Sequence, residues 1–338
     1  MHAFKVPLKK AERAKTILIK NNLLDKKYIP EKTEKHFLFP VLKEEKKLEK
    51  KIGGTFIDFN FNEIKQKNDF KAHLREILSE DEIKKLPASY DIMGDIIIID
   101  LKNNTHEKEI GESLLKANRN IKTILKKSGI HEGEFRTQPL SYVAGEKRKE
   151  TVYKENKILL KLDVEQVYFS PRLSTERKRI YEQIKKNEKV LVMFSGCGPY
   201  PITISKNTMA KKIIGIEKNP IAHKYGIKNL LLNKVKNIEL INGDVREEVS
   251  KTKQKFDRII MPLPKGAEDF LDIAFFASKK GTMIHLYDFE HETELDFGEK
   301  KVRDAAKKLN KKIKILRTVK CGQYSPGKFR ICVDFSVL

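Results

Sequence analysis

No stretch of this chain approaches the roughly 18 consecutive apolar residues that a membrane-spanning helix needs. The opening residues Met1–Lys10 run into a charged helical pattern instead of an apolar signal segment, so no secretory leader is expected. Cysteine is scarce: Cys197, Cys321 and Cys332 are isolated thiols without metal-ligand spacing, so no metal site is expected. Nor do they form a disulfide framework, and their scarcity points to a reducing, cytoplasmic setting. No internal repeat or low-complexity linker is visible, so the domain boundaries are soft. Acids are also short. Asp plus Glu is 47 against 70 Lys plus Arg, a formal net charge of +23 over 338 residues. Such an excess fits a polyanionic partner, nucleic acid first, with generic solubility of a lysine-rich chain as the plainer alternative. Only 39% of the residues are hydrophobic and 35% are charged, yet strand and helix patterns recur throughout, which excludes global disorder.

What is present is organised around Lys189–Tyr200. Val190, Leu191 and Val192 read as a strand covered on both faces, since a central parallel strand shows a continuous apolar run. Gly196 and Gly198 then permit a sharp turn and a close backbone approach to a ligand, and Pro199 suits the first turn of a helix. A second strand, Lys212–Glu217, ends on a carboxylate about 20 residues beyond the glycine turn, the spacing at which an acid meets ribose hydroxyls. A third, Ile238–Asn242, runs into Asp244, placed to meet an adenine amino group, and a fourth, Phe256–Met261, into Pro262. The turn has no third glycine and no P-loop lysine, so a nucleoside without phosphates fits better than a nucleotide, for example the adenosyl part of S-adenosylmethionine.

The rest of the chain divides into residues 1–62, 63–158 and 159–338. The first is read as a small α+β unit with a helix over Ala11–Leu24 and a strand over Phe37–Leu42 that Pro40 places near an edge. Its charge run Lys43–Lys51 reads as a solvated helix face or as a contact with an RNA backbone. The second is another α+β unit, an RNA-binding linker domain. It has one or two helices over Phe70–Leu86, a strand over Ser89–Leu101 with a glycine near its start, and a turn at Asn103–Glu107. A basic helix follows over Lys108–Lys127, with Ile110, Leu114, Leu115, Ile121 and Leu125 facing inward and Gly129 closing it. Thr151–Leu162 reads as a hairpin. The third is an α/β domain. Helices are expected at Asn219–Asn233, Lys265–Ser278 and Lys301–Leu309, and strands at Thr282–Tyr287, Lys312–Val319 and Lys328–Phe335, the last entered through the turn Tyr324–Gly327. A mostly parallel seven-stranded sheet that finishes with an antiparallel hairpin is the Rossmann-like architecture of class I methyltransferases.

Two segments before the central strand carry candidate chemistry. One is the polar loop Gly133–Leu140 with Arg136. The other is Val167–Arg177, where a strand stops at Pro171 and a helix begins near Thr175 and Glu176, facing the cleft beside the glycine turn. The plainer accounts are an acid in the first turn of a helix for Glu176 and surface charge for Arg136 and Arg172.

Taken together, Gly-Glu-Phe-Arg136, Val-Tyr168-Phe-Ser-Pro-Arg172-Leu-x-x-Glu176-Arg, Phe194-x-Gly-x-Gly-Pro199, Ile-Glu217-x-Asn-Pro220 and Asn-Gly-Asp244-Val-Arg246 resemble the archaeal and eukaryotic type of tRNA guanine-37 N1-methyltransferase. Ser89–Asp95 and the closing Tyr-Ser-Pro-Gly327 also look like that family. The resemblance covers most of the chain from residue 89 onward, and Tyr168–Arg172 is its most specific part. It implies S-adenosylmethionine as cofactor and tRNA as partner, with no obligate protein partner. Glu176 would be the general base that takes the N1 proton, and Arg136 would stabilise the charge on the guanine carbonyl oxygen. Tyr168, Arg172 and Pro262 would line the substrate pocket, while Phe194, Gly196, Gly198, Pro199, Glu217, Asp244 and Val245 would hold the cofactor. Residues 1–62 would touch the tRNA body away from the anticodon. Two positions depart from the family: Val192 stands where an acid is usual, and Pro262 where Asn is usual. The alternatives are a wyosine-pathway enzyme acting on the same nucleotide, by aminocarboxypropyl transfer or by methylation of a tricyclic precursor, and a non-catalytic tRNA-binding protein.

Overall fold

A computed structural model describes residues 1–63, 74, 75, 77–87, 89–102, 104–263, 266–325 and 327–338. Met1–His73 and Leu74–Leu338 form two compact units. In the first, strands β1 (His2–Pro7), β2 (Glu31–Lys32), β3 (His36–Pro40) and β4 (Thr55–Asp58) make an antiparallel sheet of order β2-β3-β1-β4, with helix α1 (Ala11–Lys20) between β1 and β2. Phe4, Val6, Ala14, Leu18 and Phe39 form its core. Helix α1 stops short of Leu24 because Asn21 and Asn22 break it, Asn22 at φ 52°. Strand β3 is not at an edge; Pro40 is its last residue, so the missing N–H interrupts no ladder within it. The charge run forms no regular α-helix but leads into a π-type turn, Glu49–Gly53, over buried Leu48 and Ile52.

The second unit begins with α2 (Glu80–Lys85), which Ser79 and Glu82 start as a capping box. The expected helical stretch from Phe70 to His73, with Glu76, lies outside the described residues, as do Asn103 of the expected turn, Lys265 of the expected helix and Pro326 of the closing turn. Strands β5 (Asp91–Met93) and β6 (Ile96–Ile99) replace the single strand expected there, because Gly94 at φ 59° turns the chain back on itself. Helix α3 (Glu107–Ala117) is likewise shorter than the expected 108–127. Asn118 caps it through Leu114 O at 2.9 Å, and the β-branched Thr123 and Ile124 open strand β7 (Thr123–Lys127). With β8 (Leu140–Gly145) the sheet runs β5-β6-β7-β8. The expected hairpin is β9 (Glu150–Glu155) and β10 (Ile158–Asp163), turning through Asn156 and Lys157, both at positive φ as a two-residue turn requires.

After α4 (Ser174–Tyr181) the chain winds through β11 (Lys189–Met193), α5 (Pro199–Asn207), β12 (Lys212–Glu217), α6 (Pro220–Asn233), β13 (Ile238–Asn242), α7 (Val245–Thr252), β14 (Phe256–Met261), α8 (Leu271–Ala277), β15 (Ser278–His291), α9 (Phe297–Lys308), β16 (Ile313–Ser325) and β17 (Lys328–Val337). The sheet order is β13-β12-β11-β14-β15-β17-β16, parallel through β15 and antiparallel beyond, which is the class I methyltransferase arrangement. Leu191, Met193, Ile214, Ile216, Ile259 and Met261 are fully buried in its core, and each side chain of this kind contributes about 2 kcal/mol. Asn219 caps α6 by accepting from Ile221 N and Ala222 N. Farther along α6, Asn229 and Asn233 pair their amides with the Lys161 and Leu159 backbones, satisfying the edge of β10 that lacks a strand partner.

The closing hairpin is tied to α4 by a buried charge network. Asp334, 1% exposed on β17, accepts from Arg179 at 2.6 Å, Arg317 at 2.8 Å and His285 Nδ1 at 2.6 Å. Arg258 can only donate, so its 2.7 Å bond makes His285 Nε2 the acceptor and leaves the ring proton on Nδ1, facing Asp334. Burial alone would raise the Asp334 carboxyl, but His285, Arg179 and Arg317 outweigh it and hold it well below the usual carboxylate range. A depressed folded-state value contributes stability above the unfolded value of roughly 3.9, and that contribution is lost as pH falls through this region and below. Asp334→Asn is therefore expected to lower the unfolding free energy at pH 7 by about 3 kcal/mol, with the gap to the parent closing in acid. Denaturant titration measures it, and a loss below about 1 kcal/mol would contradict the account.

Candidate active site

The C-terminal ends of β11, β12 and β14, with the turn after β13, open onto one cleft of about 390 Å³. At its floor the glycine turn is wound tightly, with Phe194 at φ 62°, Gly196 at 56° and Gly198 at 91°. A left-handed phenylalanine is costly and marks a backbone held by its surroundings. One such hold is Glu217, whose Oε2 accepts from Gly196 N at 2.6 Å while Oε1 accepts from Asn219 N at 2.8 Å. Burial raises the Glu217 carboxyl and outweighs the backbone donors that would lower it. Beside it Ser195 Oγ lines the cleft, buried and without a hydrogen-bond partner among the described residues. A carboxylate already oriented by the backbone, an orphaned hydroxyl and an apolar slot between Val245, Leu263 and Phe270 suit an adenosyl group. Asp244 caps α7 through Arg246 N at 2.9 Å. Lys218 reaches Asp244 at 3.1 Å and Glu134 at 2.5 Å, closing the rim.

The opposite wall comes from the loop before β8 and the segment before α4. Arg136 lines the cleft, with its backbone at φ 51° and its carbonyl 2.9 Å from His131 Nδ1. Tyr168 also lines it, its hydroxyl accepting from Arg330 at 3.0 Å and its ring meeting His131 edge-on at 5.5 Å. Phe194, Gly196, Pro199, Glu217, Asp244, Val245 and Pro262 share the same cleft. Gly198 contributes as the cap of α5 and does not line it.

Two expected residues stand elsewhere. Arg172 is half-exposed on an adjoining groove, bound to Asp91 at 2.8 Å. Glu176 is buried behind the cleft wall, its carboxylate accepting from Arg179 Nη2 at 2.6 Å and Nε at 2.7 Å and from Tyr287 at 2.6 Å. Consecutive helical residues point about 100° apart, so only one of Glu176 and Arg177 can face the cleft. Arg177 does, clamped by Glu155 at 2.5 and 2.6 Å with its guanidinium 5.0 Å from the Phe169 ring centre. Glu176 is linked to the cleft by hydroxyls: Tyr200, which lines it, donates to Tyr287 at 2.9 Å, and Tyr287 donates to Glu176. Val192 is enclosed by Ile180, Tyr200 and Ile260 in an apolar cluster, so the space an acid would need is filled. The sequence assigns no role to Arg177, Tyr200 or Tyr287; Arg177 closes the Val167–Arg177 segment, Tyr200 closes Lys189–Tyr200, and Tyr287 stands only as the end of an expected strand.

Comparison with known proteins decides the family. The sequence matches the TRM5/TYW2 methyltransferase domain over residues 151–316, the TYW2 N-terminal domain over 70–148 and the tRNA methyltransferase 5 N-terminal domain over 3–49. The tRNA (guanine(37)-N(1))-methyltransferase Trm5b of Pyrococcus abyssi is 36% identical over 340 residues, covering 99% of this chain and 98% of that one. The chain belongs to the TRM5/TYW2 methyltransferase family. Its fold superimposes on the crystal structure of the Pyrococcus protein with a TM-score of 0.73, covering 100% of this chain and 99% of that one. A Methanocaldococcus jannaschii Trm5 crystallised with adenosine gives 0.68 at 30% identity, with 100% and 99% covered. An aTrm5–tRNALeu complex gives 0.70 at 31% identity, with 100% of each chain covered.

The raised Glu217 carboxyl takes up its proton at a higher pH than an ordinary glutamate, near 4.3. Protonation would remove the acceptor that a pair of ribose hydroxyls would use if Glu217 holds them. Adenosine binding is therefore expected to weaken as pH is lowered from 7, before the ordinary glutamate range is reached. Glu217→Gln should bind roughly 10-fold more weakly at pH 7, with a flatter profile. Calorimetric titration between pH 5 and 8 checks this (roughly the range that brackets a raised carboxyl), and equal pH profiles for parent and variant would contradict it.

Proposed function

We propose that this chain transfers the methyl group of S-adenosylmethionine to N1 of guanosine at position 37 of tRNA. The observation that carries the reading is a single cleft with Glu217 and Asp244 on one side and Arg136 and Tyr168 on the other. The near full-length match to a guanine N1-methyltransferase, including the segment 3–49, favours this reaction over the wyosine-pathway alternatives and over a non-catalytic role.

S-adenosylmethionine supplies a methyl group activated by its sulfonium. Glu217 holds the ribose, Asp244 the adenine amino group, and Gly196 and Pro199 leave room for the methionine end. Tyr168 and Pro262 line the pocket of the flipped guanine, and Arg172 serves the adjoining backbone. Guanine N1 carries a proton, and its removal leaves negative charge on the carbonyl oxygen, which Arg136 stabilises electrostatically. Glu176 is the general base at the end of a relay. A carboxylate only accepts, so Tyr287 donates to Glu176 and Tyr200 donates to Tyr287, and a proton delivered to the Tyr200 oxygen is passed inward. Burial raises both tyrosine hydroxyls, which disfavours a phenolate at either position.

Residues 1–62 and 63–158 act as tRNA-reading parts ahead of the catalytic part 159–338. The first meets the tRNA body, where folded shape is readable because A-form helices hide their base edges. The net charge of +23 supplies backbone affinity. Among the described residues no helix is long and apolar enough to cross a membrane, and a cytoplasmic location fits a tRNA substrate.

Incubation with an unmodified transcript and digestion to nucleosides is expected to yield 1-methylguanosine at position 37. Glu176→Gln should slow single-turnover methylation about 10²-fold while leaving tRNA affinity within about twofold. Tyr287→Phe, which cuts the relay and keeps the ring, should cost about 10-fold. Parent-like turnover in Glu176→Gln removes it as the base; parent-like turnover in Tyr287→Phe alone removes the relay.

A further inference from the structure

The cleft continues into a second groove of about 770 Å³, with which it shares Arg136, Tyr168, Phe169 and Ser170. At the far wall of that groove, Phe289 on β15 and Tyr324 at the end of β16 place their ring centres 4.4 Å apart. Tyr324 is 59% exposed. Arg330, opposite Phe289 in the β15–β17 ladder, sets its guanidinium 5.0 Å from the Phe289 ring and donates to Tyr168 at 3.0 Å. An aromatic pair with one open face is thus linked through a single arginine to the tyrosine of the substrate cleft. The groove is also lined by the cations Lys127, Arg136, Arg172 and Arg330 and the acids Asp91, Asp100 and Glu165, of which Asp91 is engaged by Arg172 and Glu165 by Lys149, so the lining is positive by one charge.

Extruding one base from a stacked strand leaves its neighbour with an exposed face, and aromatic side chains recover part of that lost stacking. We propose that Tyr324, backed by Phe289, is a stacking platform for the nucleotide adjacent to the methylated guanosine. In this arrangement Arg330 acts as a positioning residue that holds the platform in register with Tyr168. The occupant is an unpaired base of the RNA substrate. Positive lining and continuity with the cleft argue for it, and stacking on a ring accounts for recognition that tolerates any base identity. This rests on the reading of the cleft as a guanine N1-methylation site.

The test uses full-length protein and two tRNA transcripts, each with a fluorescent adenine analogue on one side of position 37. With the parent protein, one of the two should be quenched on binding. Tyr324→Ala should abolish that quenching and raise KM for tRNA on the order of 10-fold, with kcat changed less than about threefold. Tyr324→Phe should restore both, which separates loss of stacking from loss of fold. Unaltered quenching at both flanks with KM within about twofold in Tyr324→Ala would overturn the platform while leaving the methylation reading intact. A parent protein that leaves position 37 unmethylated would overturn both.

Discussion

Gly196 N donates to the Glu217 carboxylate across 2.6 Å, and the rest of the site is arranged around this bond. It joins the turn after the first strand of the large sheet to the end of the second. It needs a left-handed backbone at φ 56°, which glycine adopts without strain, and it needs a carboxylate kept from water. Parallel pairing of β11 with β12 and β14 fixes where those strands stop, so Glu217 and Pro262 reach the cleft without loop adjustment. Phe194, strained at φ 62°, is part of the same constraint: its ring packs edge-on against Phe270 at 4.9 Å and closes the apolar slot.

The closing hairpin integrates the catalytic unit. Asp334 fixes Arg179, Arg179 fixes Glu176, and Tyr287 connects Glu176 to the cleft through Tyr200. Arg330 on the same hairpin reaches Tyr168. The ion network that pins α4 to the sheet also sets the direction in which the Glu176 carboxylate points.

Much of the central sheet was legible in the sequence. Buried parallel strands are continuous apolar runs, so β11, β12 and β14 announce themselves, and Asn219-Pro220 marks a helix start by capping chemistry. The failures have local causes. Residues 108–127 keep a helical spacing of apolar residues past Ala117, and only tertiary pairing of Thr123–Lys127 with β6 and β8 makes the second half a strand. Gly94 reads as a glycine near the start of a single strand and is the bend of a hairpin. In the site, residues next to a glycine or strand end were readable from chain position. Glu176 was not, since which of two neighbouring helical residues faces the cleft depends on the helix rotation set by Arg179 and Asp334. Tyr287 lies 111 residues from Glu176 and Arg330 162 residues from Tyr168, and periodicity carries no such information.

The claim on which the account rests is that the activated methyl group, and no other part of the cofactor, is delivered to guanine N1 in this cleft. The most direct measurement uses S-adenosylmethionine with tritium in the methyl group and radiocarbon in the carboxyl group, reacted with an unmodified tRNA transcript. Tritium alone should enter the tRNA, confined to position 37 and absent when that guanosine is replaced by a purine lacking the N1 proton. Radiocarbon in the tRNA, or methylation that persists without the N1 proton, would contradict it.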